Sequence, residues 1–400
     1  MQAVFPGRIE PPVPLAEERV ETNSARSFFS WKLLLLALVV GCAAEMAGPS
    51  WAQAIFRALR VTGASGASAM IAALLAAVFL HEAGHLAAAL ALDFRILGIS
   101  FGPVRVSFWH GRRTWKLSAQ NLFTGSISAV PNANKLWRTR MLAVVAAGPA
   151  ATLVTGALAG YLLLALHSPI WVMSFLAALS QLSFFLFVLG FVPNSARSRA
   201  RNDARFFWIL YRGGIEAEEI STYHDIMQME TSGVRPNAIP AGLIRKLARS
   251  QSTANLEVLC ARTVANWALD CGDIASAAAW DHHAFNISKQ CDQRLRNSAA
   301  AASGCFDILF RNDLNAARSK FAAVQLDSLT PECFRHRIQA AYWLAAGNVP
   351  MALSEIAGAR YSFPAKLPYY GFETRLLAAL HHKAVSLTAP EPMACPTNPR

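Results

Sequence analysis

Charge, and negative charge above all, is scarce in this chain of 400 residues: 25 Asp and Glu stand against 37 Lys and Arg, and charged residues of either sign make up only 16% of the sequence. Apolar residues supply 54% and crowd into the part before Pro193, which argues against a chain soluble throughout and divides it into a membrane half and a soluble half. Paired cysteine motifs are missing too. The seven cysteines (Cys42, Cys260, Cys271, Cys291, Cys305, Cys333 and Cys395) form no C-x-x-C, and most lie in the half expected to face the cytoplasm. That excludes a disulfide framework or a zinc knuckle and leaves them as small buried apolar residues. No basic helix or aromatic-basic platform accompanies the net charge of +12, so nucleic acid is excluded as a partner.

What the chain does have is long apolar runs. Four of roughly spanning length fall at 31–47, 67–92, 141–167 and 170–192, so about four transmembrane helices are expected. Glu45 shortens the first. Val39-Val40-Gly41-Cys42 resembles a lipoprotein cleavage box, so removal of this segment stays open. Arg95, Arg105, Arg112, Arg113, Lys116, Lys135, Arg138 and Arg140 follow the second run, and Arg197, Arg199, Arg201 and Arg205 follow the fourth. These clusters place both segments, both chain ends and the soluble half in the cytoplasm, in a multi-pass inner (plasma) membrane protein. The positive charge then lies beside anionic lipid of the bilayer.

Inside the second run stands His81-Glu82-Ala83-Gly84-His85. On a helix, two histidines four apart lie roughly 40° apart around the axis and about 6 Å along it, so both imidazoles can reach one ion. Glu82, beside the first of them, is placed to take a proton from water at that ion. Three ionisable groups in five residues of a span are costly unless something compensates them. The alternative, that His81 and His85 are neutral core groups bonded to neighbouring helices, stays open. A soluble-type metallopeptidase on a membrane anchor is excluded, because the motif itself lies in the span.

A hydrolytic zinc needs a third protein ligand, and acids near the spans are few: Glu45, Asp93 and Asp203. Asp203 follows the break at Pro193 and a polar loop, near the start of an amphipathic helix, from where it could return to the histidines. An ordinary first-turn or N-cap acid is the other reading.

These features together resemble the site-2 protease family of intramembrane zinc metalloproteases. The resemblance covers Met70 to Leu210 and includes Phe101-Gly102-Pro103 opening a strand-rich segment, Ala147-Gly148-Pro149 in the third span and Pro193 ahead of Asp203. It implies zinc held by His81, His85 and Asp203, with Glu82 as general base, and cleavage in or near the transmembrane segment of a membrane protein. The chain departs from the family pattern at three places. Thr152 is the polar residue where an Asn commonly follows the Gly-Pro, Gly190 stands where an Asn often precedes the proline, and Ala204 replaces the Gly after the ligand Asp. An inactive member serving as a membrane scaffold is therefore the alternative.

The segment 96–130 reads as strands: Val104, Val106 and Phe108 alternate with Arg105 and Ser107, His110-Gly111 supplies a turn, Trp115 and Leu117 continue, and 125–128 forms another. By resemblance this is the family's membrane-associated sheet, whose edge could hold an unwound substrate, or else a structural cover. Beyond Gly213 the text turns helical. Gly272-Asp273-Ile274, Asn312-Asp313-Leu314 and Gly347-Asn348-Val349, each with Ala three positions on, recur 40 and 35 residues apart, which suggests tetratricopeptide-like repeats able to take a cytoplasmic protein partner. Trp267, Phe306 and Trp343 read as packing, and the pairs His282-His283 and His381-His382 point to different faces. The expected organisation is a mainly α chain: an N-terminal tail at 1–30, the membrane core at 31–212, linker helices at 213–254, repeats at 255–389 and a disordered tail at 390–400.

Overall fold

The computed structural model describes residues 64–109, 112–117, 125–132, 136–166, 168–191, 202–249, 253–324, 332–362 and 369–388. These fall into two compact units, with the boundary inside one helix at His224/Asp225.

The first unit holds three helices long and apolar enough to cross a membrane: α1 (Ala64–Ala91), α2 (Trp137–Ala165) and α3 (Ile170–Phe191). The run at 31–47 lies outside the described residues. Small residues let the three helices approach closely. Ala73, Ala77, Ala159 and Ala177 are buried between them, and the buried Ser180 donates its hydroxyl to the Gly156 carbonyl at 2.9 Å. The outward faces carry Met70, Phe79, Leu90, Val154, Leu158, Tyr161 and Trp171, all exposed, as a lipid-facing surface would be.

α1 ends where Asp93 takes the left-handed conformation (φ 58°) and turns the chain directly into a sheet. Four antiparallel strands, β1 (Phe94–Phe101), β2 (Val104–Trp109), β3 (Arg112–Leu117) and β4 (Gly125–Pro131), lie in the order β3-β2-β1-β4. Strand structure thus begins two residues before the expected 96, and Phe101-Gly102-Pro103 closes the first strand rather than opening the sheet. Leu97 is an extra residue in β1, where the pairing with β4 slips between Ile96 and Gly98. After α3, the short α4 (Asp203–Arg212) packs Leu210, fully buried, among Met141, Val144 and Val145 of α2. α5 (Ile215–Thr231) follows and contains the unit boundary.

The second unit is helical: α6 (Ala241–Ala248), α7 (Ala254–Asp270), α8 (Ile274–Ser288), α9 (Gln293–Phe306), α10 (Leu314–Phe321), α11 (Glu332–Ala345), α12 (Val349–Ser362) and α13 (Tyr369–Thr388). Three of its turns share one chemistry. Gly272, Asn312 and Gly347 each take positive φ, and the next residue caps the following helix: Asp273 accepts from Ser276 N, Asp313 from Ala316 N, and Asn348 from Met351 N. The core is alanine-rich, with Ala340, Ala341, Ala352 and Ala359 fully buried beside Leu344, Ile356, Leu377 and Leu380. Trp267 is buried and donates its indole N–H to the Ile239 carbonyl, Phe306 is buried, and Trp343 packs on the core.

Candidate metal centre

His81 and His85 occupy consecutive turns near the C-terminal end of α1, with rings edge to face and centroids 4.8 Å apart. Their Nε2 atoms come within 3.2 Å of each other. His85 is buried, and its Nδ1–H donates to the Val144 carbonyl of α2 at 2.7 Å, so the core hydrogen bond foreseen for a neutral histidine is present. That bond makes Nδ1 a donor and turns Nε2 inward, toward His81 and Asp203.

Glycines make room for these side chains. A β-carbon on Gly148 would lie 2.2 Å from His85 Nε2, and one on Gly125 of β4 would lie 2.2 Å from Glu82 Cγ. Gly84, inside the motif, sits so close to α2 that a β-carbon would be 2.5 Å from the Ala147 carbonyl oxygen. The buried Glu82 is thus enclosed by the start of β4, and α1 is seated tightly on α2. Gly148 was visible in the Ala-Gly-Pro motif, but the contacts of Gly125 and of the Val144 carbonyl are tertiary and leave no local signal.

The third member arrives from α4. Asn202 is the N-cap, accepting from Arg205 N at 3.1 Å, so Asp203 is not spent on capping. Its Oδ2 lies 2.9 Å from His81 Nε2 and 3.3 Å from His85 Nε2. Burial opposes ionisation of this carboxyl, but the two imidazoles outweigh burial and hold it well below the usual carboxylate range. Asp93 does not join: it is exposed and accepts from the Asn132 amide at 2.7 Å. Glu45 lies outside the described residues.

The donor set fits a zinc ion. Two nitrogens and one oxygen form a triangle with sides of 2.9, 3.2 and 3.3 Å, and a tetrahedral zinc with bonds of about 2.0–2.1 Å has neighbouring donors about 3.3 Å apart. Among the described residues this is the group of three or more His, Cys, Asp or Glu side chains able to share an ion. Elsewhere, His283 pairs with Glu257 at 2.9 Å and His282 with Asn286.

The chain belongs to peptidase family M50, whose family model matches residues 69–358, well over half its length. Members of that family are zinc metalloproteases, and with three apolar helices of spanning length the chain is a membrane protein. No curated protein and no solved structure matches it.

Proposed function

We propose that the protein is an intramembrane zinc endopeptidase that cleaves a peptide bond in or near the transmembrane segment of a membrane-protein substrate. The observation that carries this reading is the donor triangle of His81, His85 and Asp203, two of whose corners belong to a helix of spanning length. A bound zinc would supply Lewis-acid polarisation of the scissile carbonyl and make a nearby water more acidic. Glu82 takes the proton of the attacking water and delivers it to the leaving amine. Gly125 and the surrounding helices keep that carboxylate from swinging away. A helical substrate hides its peptide bonds, and β4, an edge strand whose first residue touches Glu82, offers an unwound segment backbone partners beside the general base.

The same reading places the protein in the plasma membrane with about four spans, a core over 31–212 and cytoplasmic ends. The three matched turns support a tetratricopeptide-like repeat domain at 255–389 that takes a cytoplasmic protein partner.

One observation favours a second reading, a catalytically lapsed membrane scaffold. The hydroxyl of Thr152, the polar residue at the position where the family commonly has Asn, donates to its own helix at the Pro149 carbonyl (2.7 Å) and is fully buried. It is therefore unavailable to orient a substrate. The two readings separate on Glu82→Gln, assayed in membranes together with metal analysis. Zinc in both proteins, with cleavage only in the wild type, is the expected result. Equal turnover in the two would remove Glu82 from the chemistry, and a folded wild type without zinc would favour the scaffold.

A further inference from the structure

Arg138 and Arg140 stand two residues apart in the first turn of α2, so their side chains leave the helix roughly 200° apart. Each finds the C-terminal end of a different helix. Arg140 donates to the Leu92 carbonyl and, at 3.1 Å, to the Asp93 carbonyl, just past the end of α1, with its guanidinium over the Phe94 ring at 5.3 Å. Arg138 donates from Nε to the Leu210 carbonyl and from Nη2 to the Tyr211 carbonyl at 2.7 Å, at the end of α4. Those two helices carry the donor triangle: His81 and His85 on α1, Asp203 at the first position of α4.

We propose that Arg138 and Arg140 are positioning residues for the metal centre, each holding one ligand-bearing helix against α2. The last carbonyls of a helix lack intrahelical partners and carry its negative end, so a guanidinium there is held by charge as well as by hydrogen bonds. A helix is stiff along its axis. Fixing the end of α4 at Leu210 and Tyr211 therefore fixes Asp203, about 10 Å away at the other end. A slip by one residue would turn Asp203 by about 100°, out of reach of both imidazoles. Gly213 adapts to the clamp: it has φ 77°, and a β-carbon on it would lie 2.9 Å from Arg138 Nη1. α2 supplies a third support from the same stretch, the Val144 carbonyl on His85. One helix thus sets all three corners of the triangle.

This inference rests on the zinc reading above, and the experiment keeps the two apart. Zinc affinity of the full-length purified protein is measured by competition with a chromogenic chelator for wild type, Arg138→Ala, Arg140→Ala, Arg138→Lys and Arg212→Ala. Arg212 sits on the same helix end, where its guanidinium lies over Trp208. Both clamp alanine variants should bind zinc roughly 10- to 100-fold more weakly, as loss of groups that orient ligands does elsewhere. Their cleavage activity should return when zinc is raised, and helical content should be unchanged. Arg138→Lys should lose several-fold, because one ammonium cannot reproduce the fork, and Arg212→Ala should match the wild type. If the alanine variants do not fold, Arg138→Lys decides. Wild-type affinity in the clamp variants, or an equal loss in Arg212→Ala, would overturn the inference, whereas a wild type that binds no zinc would remove the centre itself.

Discussion

Gly125 at the start of β4 touches the side chain of Glu82 so closely that any β-carbon there would lie 2.2 Å from Cγ, and 2.5 Å from Cδ and Oε1. Real β-carbons do not come so near, so Gly125→Ala must displace either the strand or the carboxylate. Cleavage should fall by a factor of ten or more while zinc content stays at the wild-type level, read by activity assay beside metal analysis. Gly148→Ala makes the opposite contrast. Its β-carbon would collide with His85 Nε2, so zinc binding itself should weaken. Retained cleavage in Gly125→Ala would break the link between β4 and the general base.

His224 packs against Trp137, ring centroids 5.9 Å apart, with its Nδ1 buried and unpartnered. Burial pushes its pKa down to about 4 from an ordinary 6.5. Between those values the unfolded chain takes up a proton that the folded chain refuses, so the contribution of His224 to stability is present at neutral pH and lost as pH falls from 6.5 toward 4. The loss amounts to about 2–3 kcal/mol. Thermal unfolding at pH 7.5 and pH 4.5 should show a smaller drop for His224→Gln than for wild type, and equal drops would refute the assignment.

Asp270 is a fully buried carboxylate in the helical unit, and it gathers partners from two segments, 235–237 and α13. Arg235 donates to it through Nε (2.9 Å) and Nη2 (2.8 Å), Asn237 through its backbone N–H (3.0 Å), and Arg375 through Nη2. Asp270→Ala strands these donors, although both arginines are partly exposed and can turn to water. A destabilisation of about 2–3 kcal/mol is expected, below the range for a fully buried pair. Denaturant unfolding of the full chain measures it, and a change under 0.5 kcal/mol would show that the cluster contributes little.

The motif histidines and the apolar runs at 67–92, 141–167 and 170–192 were legible because both signals are local: one is a spacing of four, the other a length. Asp203 stood out because so few acids lie near the spans. The three turns at Gly272, Asn312 and Gly347 showed only as a faint repeat, a small or turn residue followed by Asp or Asn, and the positive φ and helix caps they form were not written there. β1 was harder, because 94–101 breaks the apolar-polar alternation at Ile96-Leu97 and is made a strand by its pairing with β2 and β4, which is tertiary. Arg138 and Arg140 read as topology-setting charges among many. Their partners are main-chain carbonyls 72 and 48 residues away respectively, a distance over which periodicity carries no information.

The strand order β3-β2-β1-β4 leaves the far side of β4 unpaired among the described residues. Side chains of a pleated ribbon point up and down in turn. A polypeptide laid alongside β4 would therefore be inspected at every other position only, and selectivity would follow an odd-even rhythm, tolerant of change at one parity and strict at the other.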